Sequence, residues 1–190
     1  MANLAKIIRP PEYGEAKGAI IFLIGPIQGA PDWQSGAIEY LRHIPGLTIA
    51  SPRRIDAPNP FTDKDFYEQI DWEHFYIEKA LKKKNGVLFC WFAKEEKRRL
   101  SIGEKVLLAQ QIKNGLYVPS RAYGQTSRFE IGVLAAFSHS RNARIVAGIE
   151  PGFSGERYLR YTLKKKFPRI HLCDSFGETR KKAVELLHKK

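Results

Sequence analysis

Three apolar runs, at residues 18–24, 87–92 and 143–149, broken only by Arg144 in the third, constrain this chain more than any other feature of it. They are rich in β-branched, aromatic and other apolar residues, and none alternates with polar positions. Strands of this composition are buried on both faces, as central strands of a parallel sheet are. Shorter runs at 47–50 and 169–173 bring the number to five. Helical patterns lie between them, at 33–42, 65–84, 127–137, 155–166 and 175–190. Strands alternating with helices predict an α/β fold: a doubly wound sheet of about five mainly parallel strands with helices on both faces.

The 190 residues suit one domain, and 43% hydrophobic content is enough for a sizeable core. Residues 1–17 are polar, contain Pro10-Pro11, and read as an extended arm that packing on a neighbour would order. The domain proper runs from 18 to 190, with an elaboration at about 93–125. No apolar stretch approaches the length of a membrane span, so no membrane partner is expected. The first residues lack the apolar core of a signal peptide. Cys90 and Cys173 fall in strand segments and read as two buried, reduced thiols, which points to the cytoplasm. No Cys/His spacing suits zinc, and neither metal nor cofactor is expected.

The net charge of +12 raises the question of a nucleic-acid partner. The cations fall in short blocks, at 82–84, 97–99, 164–166, 180–182 and 189–190. Most of these stand where helices should end, where positive charge suits the helix dipole. A solvated basic surface is the favoured reading, and nucleic acid the less favoured one.

Along the chain, the first strand ends in Gly25-Pro26-Ile27-Gln28-Gly29-Ala30. This is neither a Walker loop nor a GxGxxG fingerprint, but it marks a close backbone approach at the carboxyl edge of a sheet. Asp32 is the expected N-cap of the first helix. The long loop at 51–65 carries Arg53-Arg54, suited to an acidic or phosphate group or to surface ion pairs. In the helix at 65–84, Phe66, Ile70, Ile77, Ala80 and Leu81 form the expected inner stripe. Asp71, Trp72 and Glu73 interrupt it. Two acids two residues apart do not share a helical face, so at most one of them points at a pocket. Within the elaboration, 102–113 predicts a helix with Val106, Leu107, Ala109 and Ile112 inside, and 116–119 a short strand. This segment suits a lid or an oligomer contact.

The last candidate is Glu130, a lone acid among Phe129, Ile131, Val133, Leu134, Ala135, Ala136 and Phe137. So apolar a helix reads as buried on more than one face. Ser127 stands three residues earlier, at the spacing of a capping box. Either Glu130 caps its own helix, or it faces a pocket as a reactive carboxylate.

Four pieces, in order, resemble the nucleoside 2-deoxyribosyltransferase family, in its 2-deoxyribosyltransferase-like branch. They are residues 21–27, Gln69-Ile70-Asp71-Trp72-Glu73, residues 87–92 and Arg128-Phe129-Glu130-Ile131-Gly132, and they span most of 19–150. The resemblance implies a flavodoxin-like fold and a homo-oligomer, often with a neighbouring chain completing the pocket. It implies transfer of 2-deoxyribose between nucleobases, or hydrolysis of the N-glycosidic bond of a nucleoside or nucleotide. Glu130 matches the catalytic glutamate, which forms a covalent glycosyl-enzyme. Gly25, Pro26 and Ile27 match the pocket loop, and Trp72 and Glu73 a pocket wall. Asp71, Glu73 or a group from the 93–125 segment is a candidate to protonate the departing base. Trp33, Trp72, Trp91 and Phe92 are candidates to stack on base or sugar, although core packing suits each of them too. Ser127 and Arg128 are candidate substrate contacts, Arg128 for a 5′-phosphate. The chain departs from the family pattern at Asn85 and Gly124, where many members carry acidic or hydroxyl groups. Transferase, glycosidase and a noncatalytic nucleotide- or nucleic-acid-binding module therefore stand side by side.

Overall fold

The computed structural model describes residues 4–58, 60–96, 102–114, 123–140 and 143–189. Its strands are β1 (Lys6–Ile8), β2 (Ile20–Ile24), β3 (Thr48–Ala50), β4 (Gly86–Phe92), β5 (Arg144–Ile149) and β6 (His171–Cys173). Its helices are α1 (Trp33–Leu41), α2 (Asp63–Lys82), α3 (Ile102–Lys113), α4 (Gln125–Ser140), α5 (Glu156–Lys166) and α6 (Phe176–His188). All strand pairs are parallel, in the order β1-β3-β2-β4-β5-β6. Without β1 this is the flavodoxin-like doubly wound order, which reverses direction between β2 and β4.

The sheet has six strands rather than five, and the sixth comes from the supposed arm. Residues 6–8 pair with β3 of the same chain. The rest of the arm is strapped to α2. Trp72 Nε1 donates to the Glu12 carbonyl at 2.7 Å. The Tyr76 hydroxyl accepts from Gly14 N–H at 2.6 Å and donates to the Gly14 carbonyl at 3.0 Å. Lys83 Nζ donates to the carbonyls of Ala16, Lys17 and Gly18. Within the chain, the arm is tied to β3 and α2.

The pleat of β4 divides the core in two. Leu88, Cys90 and Phe92 face a layer built by α2, α4 and α5. Val87, Phe89 and Trp91 face α1 and α6. Each fully buried Leu, Ile or Phe contributes about 1.5–3 kcal/mol, and β2 and β4 accordingly hold no charged or amide residue.

α2 begins at a complete capping box, with Thr62 as N-cap and Asp65 reaching back to it. Its 20 residues rise about 30 Å, more than the roughly 23 Å of a seven-residue strand. A crossover helix starts at the carboxyl edge of the sheet, so its first turns overhang that edge. Phe66, expected inside, is therefore 46% exposed. The inner stripe is Trp72, Tyr76 and Ala80, with Ile77 and Leu81 packed alongside.

α4 also differs from expectation. It starts at Gln125, directly after Gly124 at φ +65°. Ser127 thus lies inside the helix, buried, and is not its cap. Only one face of α4 is covered, through Ile131, Leu134 and Ala135, while Phe129 is 75% exposed and Val133 and Ala136 are open too. α3 matches its predicted span, but Val106 and Ala109 are exposed. The Leu107 and Ile112 side chains and the strand expected at 116–119 lie outside the described residues. Of the basic blocks, 82–84 and 164–166 do end helices, 180–182 sits within α6, and 97–99 lies outside the described residues. Cys90 is buried and Cys173 only half-buried. Among the described residues no helix is long and apolar enough to cross a membrane.

Candidate active site

The reversal of strand order opens the carboxyl edge between β2 and β4, the place where doubly wound sheets take ligands. Gly25 follows β2 there. A Cβ on it would stand 2.1 Å from the Trp91 carbonyl oxygen and 2.8 Å from the Trp33 ring, so only glycine fits. The loop behind it is pinned along its length. Trp33 Nε1 donates to the Pro26 carbonyl at 2.8 Å, and Arg53 to the Ile27 carbonyl at 3.4 Å. Glu96 N–H donates to the Gly29 carbonyl at 2.8 Å. Arg53 Nε also meets Gln34 Oε1 at 3.1 Å and Asp32 at 3.2 Å, and Asp32 caps α1 as predicted. Two buried polar atoms at this edge, Gln34 Nε2 and Ser51 Oγ, have no partner among the described residues.

On the α2/α4 face of this edge two carboxyl groups stand close enough for the charge of one to act on the other. Glu73 comes from α2 and Glu130 from α4, and both are half-buried. Burial, and then the charge of Glu73, pushes the Glu130 carboxyl up to about 8. Burial also pushes Glu73 upward, against a hydrogen bond from Gln69 that favours its anion. Glu130 is near enough to Cys90 of β4 to raise that thiol further above its ordinary range, beyond the effect of burial. Cys90 is therefore a neutral, unreactive wall of the site. Among the described residues no hydrogen bond or ion pair reaches the Glu130 carboxyl. Glu130 is not a capping residue, since the helix begins five residues before it.

Glu73 is held differently. Gln69, one turn earlier, donates from Nε2 to Glu73 Oε1 at 2.7 Å and to the Pro52 carbonyl at 2.9 Å. Its own Oε1 accepts from Arg54 Nε at 2.9 Å. Gln69 appeared in the sequence only as part of a motif. Its i,i+4 spacing from Glu73 is the signal that marks the contact.

The other candidates are placed as follows. Asp71 is exposed on the outer side of α2. Trp72 lies in the core against Phe22 and Tyr76. Trp33 and Trp91 belong to the opposite face of the sheet, packed on Phe89 and Phe176 respectively. Phe92 is on the carboxylate face but fully buried against Phe153. These four rings are core residues with no open face to stack on a base. Ser127 is buried inside α4. Arg128 donates to the Ser154 carbonyl at 3.0 Å and lies over the Phe153 ring at 5.2 Å, so it anchors α4 to the loop after β5. A depression of about 370 Å³ lined by Arg160, Tyr161, Lys164, Leu172 and Asp174 sits at the β6 edge and contains none of these residues.

No family model matches the chain, and no curated protein does.

Proposed function

We propose that the chain cleaves the N-glycosidic bond of a nucleoside, acting as a nucleoside 2-deoxyribosyltransferase through a covalent glycosyl-Glu130 intermediate. The observation that carries this reading is the pair of Glu73 and Glu130, two partly buried acids on different helices, the charge of one acting on the other, with no cation against them among the described residues. An uncompensated buried acid pair costs stability, and such pairs concentrate where acid–base chemistry is done. Breaking a glycosidic bond asks for this combination: one carboxylate to attack the anomeric carbon, one carboxylic acid to protonate the leaving group. Glu130 supplies the first and Glu73 the second. After the base departs, Glu73 is the carboxylate that takes a proton from the incoming base or water. The Gly25–Ile27 loop borders the edge of the sheet where the sugar would sit.

Hydrolysis is the second reading, and Glu73 is what favours it, since a carboxylate beside the glycosyl ester can activate water as readily as a nucleobase. Incubation with a deoxynucleoside and a second base separates the two: a new deoxynucleoside marks transfer, free base alone marks hydrolysis. Repeating it with the nucleoside monophosphate sets the substrate class. A fluorinated nucleoside that traps the ester should add its sugar mass to the peptide holding Glu130. Full turnover by Glu130→Ala would end both readings. A homo-oligomer belongs to the proposal, with a second copy covering Phe129, Val133 and Ala136.

A further inference from the structure

We infer that Gln69, oriented by Arg54, fixes the negative charge of the resting acid pair on Glu73 and so leaves the proton on Glu130. The orientation of the Gln69 amide follows from its partners. A guanidinium only donates, so the atom facing Arg54 Nε at 2.9 Å must be the amide oxygen. The Pro52 carbonyl only accepts, so the atom 2.9 Å from it must be the amide nitrogen. Two independent neighbours thus force the same placement. The second N–H of that nitrogen points at Glu73 Oε1, 2.7 Å away. A donor held in this way strengthens when its acceptor is ionised. Arg54 is itself held, through a bond to the Asp65 carbonyl and a position over the Phe61 ring.

The groups that interact with Glu73 are Glu130 on α4 and the Gln69 amide on its own helix, with the Arg54 guanidinium behind Gln69 on the loop after β3. Gln69 favours the anion, and it bonds to Glu73 and not to Glu130. Among the described residues Glu130 has no donor at all. When the pair loses its first proton, the charge settles on Glu73, and Glu130 then ionises against that charge, in accord with its carboxyl being pushed up to about 8.

The meaning for catalysis rests on the function proposed above. At rest the nucleophile is masked. The proton must pass from Glu130 to Glu73 before reaction. Glu130 then attacks the anomeric carbon as its bond to the base breaks, and Glu73 gives its proton to the departing nitrogen. In the return step the incoming water or base loses a proton to Glu73, the ester bond breaks, and the proton returns to Glu130. Gln69 and Arg54 are positioning residues: they set where the proton waits.

Carboxyl titration by ¹³C NMR on glutamate-labelled protein tests this without any substrate, with Glu73→Gln and Glu130→Gln assigning the two signals. Glu73 should ionise at lower pH than Glu130. Glu73→Gln should lower the Glu130 midpoint by at least about one pH unit. Glu130→Gln should leave the Glu73 midpoint in place, because the amide imitates the protonated acid already there. Gln69→Leu should raise the Glu73 midpoint by about one pH unit and close or reverse the gap. Arg54→Met, which leaves every α2 residue intact, should shift it the same way by less and carries the test if Gln69→Leu does not fold. Glu130 ionising first, or a titration order unchanged in both folded variants, would overturn the inference. Should the order hold while no glycosyl chemistry is found, the proton assignment stands and the enzymatic reading falls.

Discussion

α2 and α4 each bring one glutamate to the same edge of the sheet, yet they are held to very different degrees. α2 carries a capping box, buries Trp72 and Tyr76 completely, and is hydrogen-bonded to the segment at 12–18 at three successive levels. α4 leaves a positive-φ glycine, buries one narrow face, and leaves Phe129 and Val133 uncovered. The contrast extends to the acids. Glu73 has a fixed donor, and Glu130 has none among the described residues. One helix provides a rigid reference charge, and the other presents a carboxyl whose ionisation is set by burial and by that charge.

Removing each acid tests that contrast most severely. Glu130→Gln should lower kcat by at least about 10³-fold, or ~4 kcal/mol of barrier, followed by chromatography of released and exchanged bases. Glu73→Gln should cost roughly 10²–10⁴-fold. A fully active Glu73 variant would mean that the two helices do not work as partners. For the anchoring itself, Trp72→Ala should destabilise by about 3–5 kcal/mol in urea unfolding, because it leaves a cavity and the Glu12 carbonyl loses its donor.

A smaller effect with a definite sign comes from the ionisation of Glu130. Its folded carboxyl titrates near 8, above the ordinary value of 4.5. Stability on this account is complete below about pH 4.5, falls as pH rises, and is fully lost above about 8. Glu130→Gln should therefore be more stable than the natural protein by roughly 2–4 kcal/mol at pH 8.5, and almost equal to it at pH 4.5. Thermal melts across pH would show the gap widen or fail to. Smallest is Phe129→Ser, which should change protomer stability by no more than ~0.5 kcal/mol. It should nonetheless lower the assembly mass in light scattering, if the open face of α4 is where a second copy sits.

The sheet was legible because its central strands are buried on both sides, and that condition writes itself as unbroken apolar runs at 20–24 and 86–92. β1 was not, since three residues at an edge, only one of them fully buried, leave no pattern. Glu130 was visible as an acid where the neighbours are apolar. Apolar neighbours could not say how many faces of α4 are covered, because an uncovered Phe129 has the same composition as a buried one. The tryptophans show the reverse problem. Trp33 and Trp91 look like ligand-stacking residues along the chain, but the pleat sends them to the far side of the sheet. Gln69 was obscured because a polar i,i+4 pair on a helix normally means a solvated surface.

The short first strand has a further consequence. β3, with Thr48, Ile49 and Ala50 all buried, would become the outermost strand if residues 6–8 were cut away. It bears no charge to repel a visiting chain. Trimming the amino end, or displacing it with a bulky tag, should thus turn a quiet border into an adhesive one. The first sign would be clumping of the protein rather than any change in what it binds.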